Sequence, residues 1–249
     1  MKILGFDTAA KTASVALTEG GRLVSEFYLD SGFTHSETVL PMAKALLEIA
    51  GTKPEEIDVF AVNCGPGSFT GLRIGIAAVK AMAMSLKKPC AAVSTLEALA
   101  ENLIESKGVI CPVMDARCNQ MYTAFFKSDG ETLSRICDDR TVSTDALFED
   151  IEKIFAESGE KIMLVGDGAE LCARRFESGH ISVAPPQLIK GHAFSVCRVA
   201  ERISGENALV TAEALVPNYL KLAQAEKEKL EKYTSMAAQV AERLSQLKK

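Results

Sequence analysis

Two aspartates and a run of glycines are the residues whose types and spacing could do chemistry. Asp7 closes the apolar stretch that begins at Ile3, and Asp115 closes a second one, Val109 to Met114. Each could hold a magnesium–phosphate unit through water. The alternative is that each caps the turn after it, the reading preferred for Asp115. Between them lies NCGPGSFTGLRIG, with glycines at 65, 67 and 71 around Pro66. Backbone N–H groups at such a turn, backed by a helix N-terminus, favour an anion. Asp7, Gly65 and Gly67 are therefore the candidate nucleotide-binding residues. Tight phosphate binding is nonetheless disfavoured. Gly71 is followed by Leu72 and Arg73, where a P-loop needs Lys and then Ser or Thr. The third glycine comes one residue late for a dinucleotide fingerprint, and the turn Ala9-Ala10-Lys11 has no glycine to let a phosphate nestle against backbone. Arg73, a cation in a first helical turn, opposes the helix dipole and calls for an anionic partner.

Other reactive side chains are scattered. The histidines (35, 180, 192) are far apart, none is paired at i, i+4, and no C-x-x-C pair occurs, so neither a metal site nor a cofactor is expected. His35 reads as a surface or capping residue with a minor chance of touching a partner. No G-x-S-x-G elbow is present.

These residues need elements to position them. Val59 to Cys64 suits a strand buried on both faces. Ser68 or Thr70 then caps a helix bearing Leu72, Ile74, Ile76, Val79 and Met82. Ahead of it, Ile3–Thr8, Ala13–Thr18 and Arg22–Leu29 read as a three-stranded meander turning at Gly20-Gly21. A helix carries Val39, Leu40, Ala43, Leu46, Leu47 and Ala50, with Thr38 as N-cap so that Pro41 falls in the first turn. Ser94-Thr95-Leu96-Glu97 matches a capping box. The second half repeats the order: Val109–Met114, Asp115, Met121–Phe126, a third strand from Leu133 to Cys137, a helix from Thr144 to Ala156, then Ile162–Val165 with Gly166-Asp167-Gly168. Later come a strand at Ile181–Ala184 and a helix at Ala193–Ile203. The shared order indicates internal duplication. It predicts an α/β chain of two domains, 1–107 and 108–222, with the aspartates on the floor of a cleft. Residues 223–249 form a charged amphipathic helical tail, with Leu230, Tyr233, Ala237, Val240, Leu244 and Leu247 at a/d spacing.

Composition narrows the function classes. A chain of 249 residues with 47% hydrophobic and 24% charged residues reads as globular. A net charge of −5 argues against autonomous tRNA or DNA binding. Seven cysteines without paired spacing read as reduced thiols, and with no secretory signal and no membrane span the expected location is cytoplasmic.

GFDTAAKTASVAL, HSETVLP, NCGPGSFTGLRIGIAAVKAMA, STLEALA, VMDARCNQMY, GDGA and PNYLK together resemble the bacterial TsaB/YeaZ family over about residues 1–222. The resemblance implies a duplicated actin/sugar-kinase/Hsp70-like (RNase H-like) fold. It also implies a part in making threonylcarbamoyladenosine beside the anticodon of tRNAs that read codons starting with A. The family's catalytic paralogue, TsaD, holds a metal through two histidines four apart; Thr95 and Leu99 stand at the matching positions here. The implied role is a non-enzymatic scaffold that partners TsaD and the ATPase TsaE, touches tRNA only through the complex, and forms a homodimer when alone. Small residues on the central helix, together with the helix before it, suggest a partner interface at Val39, Met42, Ala43, Leu46, Gly71, Arg73, Ile74, Gly75 and Ala78. The alternative for these ridges is packing on the chain's own sheet. Two alternative functions stay open: an active enzyme of this fold (a small-molecule kinase or a peptidase), and a homodimer with a separate binding role.

Overall fold

The computed structural model describes residues 1–176 and 178–221; the tail of 223–249 with its apolar spacing lies outside them. Alternating apolar residues build a meander of β1 (Lys2–Asp7), β2 (Ala13–Glu19) and β3 (Arg22–Leu29), paired antiparallel. α1 (His35–Ile49) and a 3-10 turn at Pro54–Glu56 lead to β4 (Val59–Gly65), then α2 (Phe69–Leu86) and β5 (Cys90–Ser94). β4 lies parallel to β1 and β5 parallel to β4, giving a sheet ordered β3-β2-β1-β4-β5. α3 (Thr95–Glu101) closes this half.

The second half follows the same plan. β6 (Gly108–Asp115), β7 (Gln120–Thr123), β8 (Phe126–Ser128), β9 (Leu133–Arg135) and β10 (Arg140–Ser143) precede α4 (Thr144–Ser158). β11 (Ile162–Val165), α5 (Ala169–Phe176), β12 (Ile181–Val183) and α6 (Ala193–Gly205) complete it. The main path is β10-β7-β6-β11-β12, with β6–β7 and β7–β10 antiparallel and β6–β11 and β11–β12 parallel. Three meandering strands and two parallel ones, each of the latter preceded by a helix, occur twice in the same order.

Several local expectations change. The stretch Met121–Phe126 is not one strand: β7 pairs with Val113–Asp115 and β8 with Gly108–Ile110, both on β6. The interruption lies opposite Pro112, which has no N–H to donate to a ladder. Leu133–Arg135 pairs with β8 and is an addition; the third strand of the repeat is β10, paired with β7. α1 begins one turn early, with Thr34 rather than Thr38 at the N-cap, so Pro41 sits inside the helix and removes one donor. Of the two caps expected for α2, Ser68 is the one used, its hydroxyl accepting from the Gly71 amide at 3.2 Å.

Four apolar clusters hold these layers. Val39, Ala43, Leu46, Ile76 and Val79 of α1 and α2 pack on Leu4, Phe6, Val15 and Phe60 of the first sheet. The opposite face of that sheet (Ile3, Ala16, Ala61, Val93) is covered by Val196, Cys197, Val199 and Ala200 of α6. Residues 193–205, which the division at 107/108 assigns to the second half, thus complete the first sheet. Leu96, Leu99 and Leu103, on and just after α3, meet Ile110, Met114 and Phe126 in a seam between the two sheets. Leu147, Ile151 and Cys172 pack on the second sheet. Five of the seven cysteines are buried and all seven are free thiols; burial pushes Cys64 and Cys197 up to about 12, which leaves them protonated and unreactive.

Candidate functional site

Both aspartates make the same local turn. The Ala9 amide donates to Asp7 at 3.0 Å, and the Arg117 amide donates to Asp115 at 2.7 Å. Their surroundings differ. Asp115 is exposed, whereas Asp7 is 2% exposed. Burial raises the Asp7 carboxyl above the usual carboxylate range, partly offset by the Ala9 amide and the Asn63 side chain.

What covers Asp7 is the chain itself. A strap between β12 and α6 passes over it so closely that a β-carbon at Gly191 would collide with the Asp7 carboxylate. Asn102 holds the strap by donating to the carbonyls of Leu188 at 2.9 Å and Lys190 at 2.7 Å, and Lys190 is ion-paired with Asp30. The glycine turn is filled in the same way. Ser68 donates its amide to the Ala9 carbonyl at 2.7 Å, close beside Gly67, and Asn218 donates to the Cys64 carbonyl at 2.6 Å, its own carbonyl pressed on Gly65. At Asp7, Gly65 and Gly67 the close backbone approach is therefore made by protein, not left for a phosphate.

The N-terminus of α6 is filled from within as well. Glu26 accepts from the Phe194 amide at 3.1 Å and from the Ser14 hydroxyl at 2.8 Å, and Ser14 accepts from the Ala193 amide at 3.0 Å. His192 lies 3.5 Å from the Glu26 carboxylate and stacks on Tyr28. Burial alone would raise Glu26, but the bonds from His192 and Ser14 outweigh it and hold it low; the bond to Glu26 raises His192 against its own burial. The anion attracted by this helix end is a side chain of the protein.

Thr95 and Leu99 are buried, Leu99 in the seam between the sheets. Among the described residues no group of three or more His, Cys, Asp or Glu is close enough to share a metal ion. Glu97 forms only half of the expected capping box. Its amide donates to Ser94 at 3.2 Å, but its carboxylate turns to Arg135 at 3.0 Å and Arg202 at 2.7 Å.

The partner-interface residues divide by face. Val39, Ala43, Leu46 and Ala78 lie in the core beneath α1 and α2. β-Carbons at Gly71 and Gly75 would collide with the carbonyl and hydroxyl oxygens of Thr8. The small residues let α2 settle onto the chain's own first turn, so these six supply no outer surface. Met42 and Ile74 are partly buried on the same core, and Arg73 is exposed with its guanidinium 3.7 Å from the centre of the Phe69 ring. Arg73 shares the exposed face of α2 with Ala77, Ala81 and Met84 (53% exposed), and on α1 the exposed apolar residues Leu40 (49%) and Ile49 (74%) lie on opposite flanks of the buried stripe. α2 is long and apolar enough to cross a membrane by length and composition, yet Leu72, Ile76, Val79 and Ala83 are buried in the chain.

Residues 31–229 match the family model for TsaD, tRNA N6-adenosine threonylcarbamoyltransferase. The chain is 29% identical over 231 residues to the tRNA threonylcarbamoyladenosine biosynthesis protein TsaB of Bacillus subtilis, covering 91% of this chain and 96% of that one. It is 36% identical over 131 residues to TsaB of Escherichia coli, 52% of this chain and 56% of the other. The solved structure of YeaZ from Pseudomonas aeruginosa superposes with a TM-score of 0.73 at 26% identity, covering 88% of this chain and 99% of that one.

Proposed function

Because this chain belongs to the TsaD family of tRNA N6-adenosine threonylcarbamoyltransferases and, within it, to the TsaB/YeaZ group, we propose that it is the non-catalytic partner of a TsaD paralogue. A role in the biosynthesis of tRNA threonylcarbamoyladenosine follows from the family, as does its duplicated actin-like α/β fold. The observation that carries the finer reading is the strap over Asp7. Asp7 and the glycine turn at Gly65 and Gly67 are packed with the chain's own backbone. A surface for another protein is the remaining asset.

That surface is the outer face of α1 and α2. Arg73, Ala77 and Ala81 are exposed at successive turns of α2 with Met84 beside them, and Leu40 is exposed on α1. Small side chains let a facing helix come close, and the apolar rim supplies area to bury. TsaD takes this face in the working complex, a second copy takes it when TsaD is missing, and TsaE joins the pair in the cytoplasm. The negative net charge fits a chain whose tRNA contacts come from the assembly. The division near Gly108 then separates a partner-binding half from a supporting one.

Reconstitution tests the proposal. Threonylcarbamoyl-adenylate, TsaD, TsaE and a tRNA that reads an A-starting codon are combined with and without the chain. Modification should rise when the chain is added. Ala77→Arg with Ala81→Arg should lower its potency on the order of tenfold or more, about 1.4 kcal/mol, while circular dichroism stays unchanged. A TsaD indifferent to the chain, or a double variant as potent as the parent, would overturn it.

A further inference from the structure

Away from the strap and from the outer face of α1 and α2, six charged side chains form one alternating line. Arg198 pairs with Glu101 at 2.8 Å, Glu101 with Arg202 at 3.4 Å, and Arg202 with Glu97 at 2.7 Å. Glu97 continues to Arg135 at 3.0 Å, and Arg135 to Asp139 at 2.5 Å, where Ser94 donates its hydroxyl at 2.6 Å. Glu97 and Glu101 are one turn apart on α3, and Arg198 and Arg202 one turn apart on α6. The two helices are therefore laced along facing edges, and three cations balance three anions.

The ends of the line belong to different sheets. α6 covers the first sheet, while Arg135 ends β9 of the second and lies 4.6 Å from the centre of the Phe126 ring. Glu97 is the crossing point, one carboxylate oxygen on each arginine. At the other end of the line, beside Glu101, Arg198 and Arg202, is a cavity of about 570 Å³ bounded by Gly20 and Gly21 of the first sheet's hairpin and by Glu131–Leu133 of the second sheet's β8–β9 hairpin. The apolar seam around Leu99 and Leu103 joins the sheets along one line. Both hairpins line the cavity, where the links across are these ion pairs and a buried hydrogen bond from the Ser128 hydroxyl of β8 to the Ile104 carbonyl.

We propose that this line of ion pairs is a clasp that fixes the opening between the two sheets, with Glu97 as its pivot and the α3 seam as the hinge it closes. Arginine suits the task. Its planar fork serves two carboxylates at once, as Arg135 does for Glu97 and Asp139, and a lysine in its place offers a single point of charge. Glu101, whose side chain is 1% exposed, anchors the line on the α6 side, with one arginine on each oxygen of its buried carboxylate.

The experiment measures the opening directly. Spin labels are placed on cysteines introduced at Arg22 and Glu131, exposed residues in or next to the two hairpins, in a background of Cys118→Ser and Cys137→Ser, and their separation is read by pulsed electron resonance. The unaltered clasp should give one narrow distribution. Glu97→Gln and Arg135→Gln should each broaden it and shift it to longer distance, and Arg135→Lys should shift it by less. Circular dichroism identifies any variant that fails to fold, and Arg135→Lys, the mildest of the three, then carries the test. Distributions in Arg135→Gln and Arg135→Lys that superpose on the parent's would overturn the clasp. The readout needs neither TsaD nor tRNA, so it stands or falls apart from the partner role.

Discussion

The first and second halves of this chain share one plan and use it differently. In each, an aspartate ends the first strand and accepts from the amide two residues on, and in each a glycine after the fourth strand lies tight against the first strand or its turn. In the first half the aspartate is sealed, with helices on both faces of its sheet and a strap across its carboxylate. In the second the aspartate remains exposed beside Asp167, whose carboxylate accepts from its amide at 3.1 Å. Duplication therefore preserved the strand order and the turn while the surroundings set what each copy can bind. An Asx turn and a close glycine are properties of the scaffold, and a ligand site needs room as well.

Three measurements sharpen or break this comparison. The largest effect should come from the glycines. Gly71→Ala drives a β-carbon into the Thr8 carbonyl, and Gly166→Ala drives one into the Val113 carbonyl from a residue at φ +108°. Each should cost about 3 kcal/mol in denaturant unfolding. A cheap Gly166→Ala beside a costly Gly71→Ala would show that only the first copy depends on the close approach.

The aspartates should then part company. Asp7 is an acid whose folded pKa is raised by burial, so folding favours its protonated form. Stability from this group is highest at acid pH and falls as the pH climbs from 3.8 through the folded value. Asp7→Asn removes the titrating, buried carboxyl and keeps an oxygen for the Ala9 amide. It should raise stability at neutral pH by about 1 kcal/mol, whereas Asp115→Asn should stay within about 0.5 kcal/mol. Equal effects in calorimetry would dissolve the contrast between sealed and open copies.

The smallest effect belongs to the His192–Glu26 pair. His192 is raised above 6.5, so its contribution is complete below that pH and is lost as the pH rises through the folded value. Glu26 is held below 4.5, so its contribution is complete above that pH and is lost as the pH falls through its folded value. Their joint contribution is complete between 4.5 and 6.5. His192→Gln should remove about 1 kcal/mol or less there and flatten the decline above pH 6.5. A decline as steep as the parent's would assign it to Asp7 alone.

Local chemistry was legible in the residues. Val59–Gly65, the Ser68 cap and the meander follow from apolar runs, a hydroxyl ahead of a helix, and a Gly-Gly turn. The second half was harder because Arg140–Ser143 has no clear alternation and Pro112 divides the strand opposite it. Gly71, Gly75 and Ala78 were visible as a close-packing stripe, yet helical spacing cannot say whether the neighbour is a partner or Thr8. Gly191 over Asp7, Glu26 at α6 and Arg202 on Glu97 join residues more than a hundred positions apart. No local pattern encodes them.

The return of α6 to the first sheet also bears on synthesis. One face of the sheet formed by residues 2–94 has only the α3 residue Ala98 over it until residues 193–205 leave the ribosome, since Ala193 donates to Ser14 across 179 positions and Cys197 sits on Ile3 and Ala16. Ile3, Val59, Ala61 and Val93 are thus bare on a nascent polypeptide while the whole second sheet is being translated. The half made first is the half finished last, and apolar surface bare over that interval is prone to aggregate.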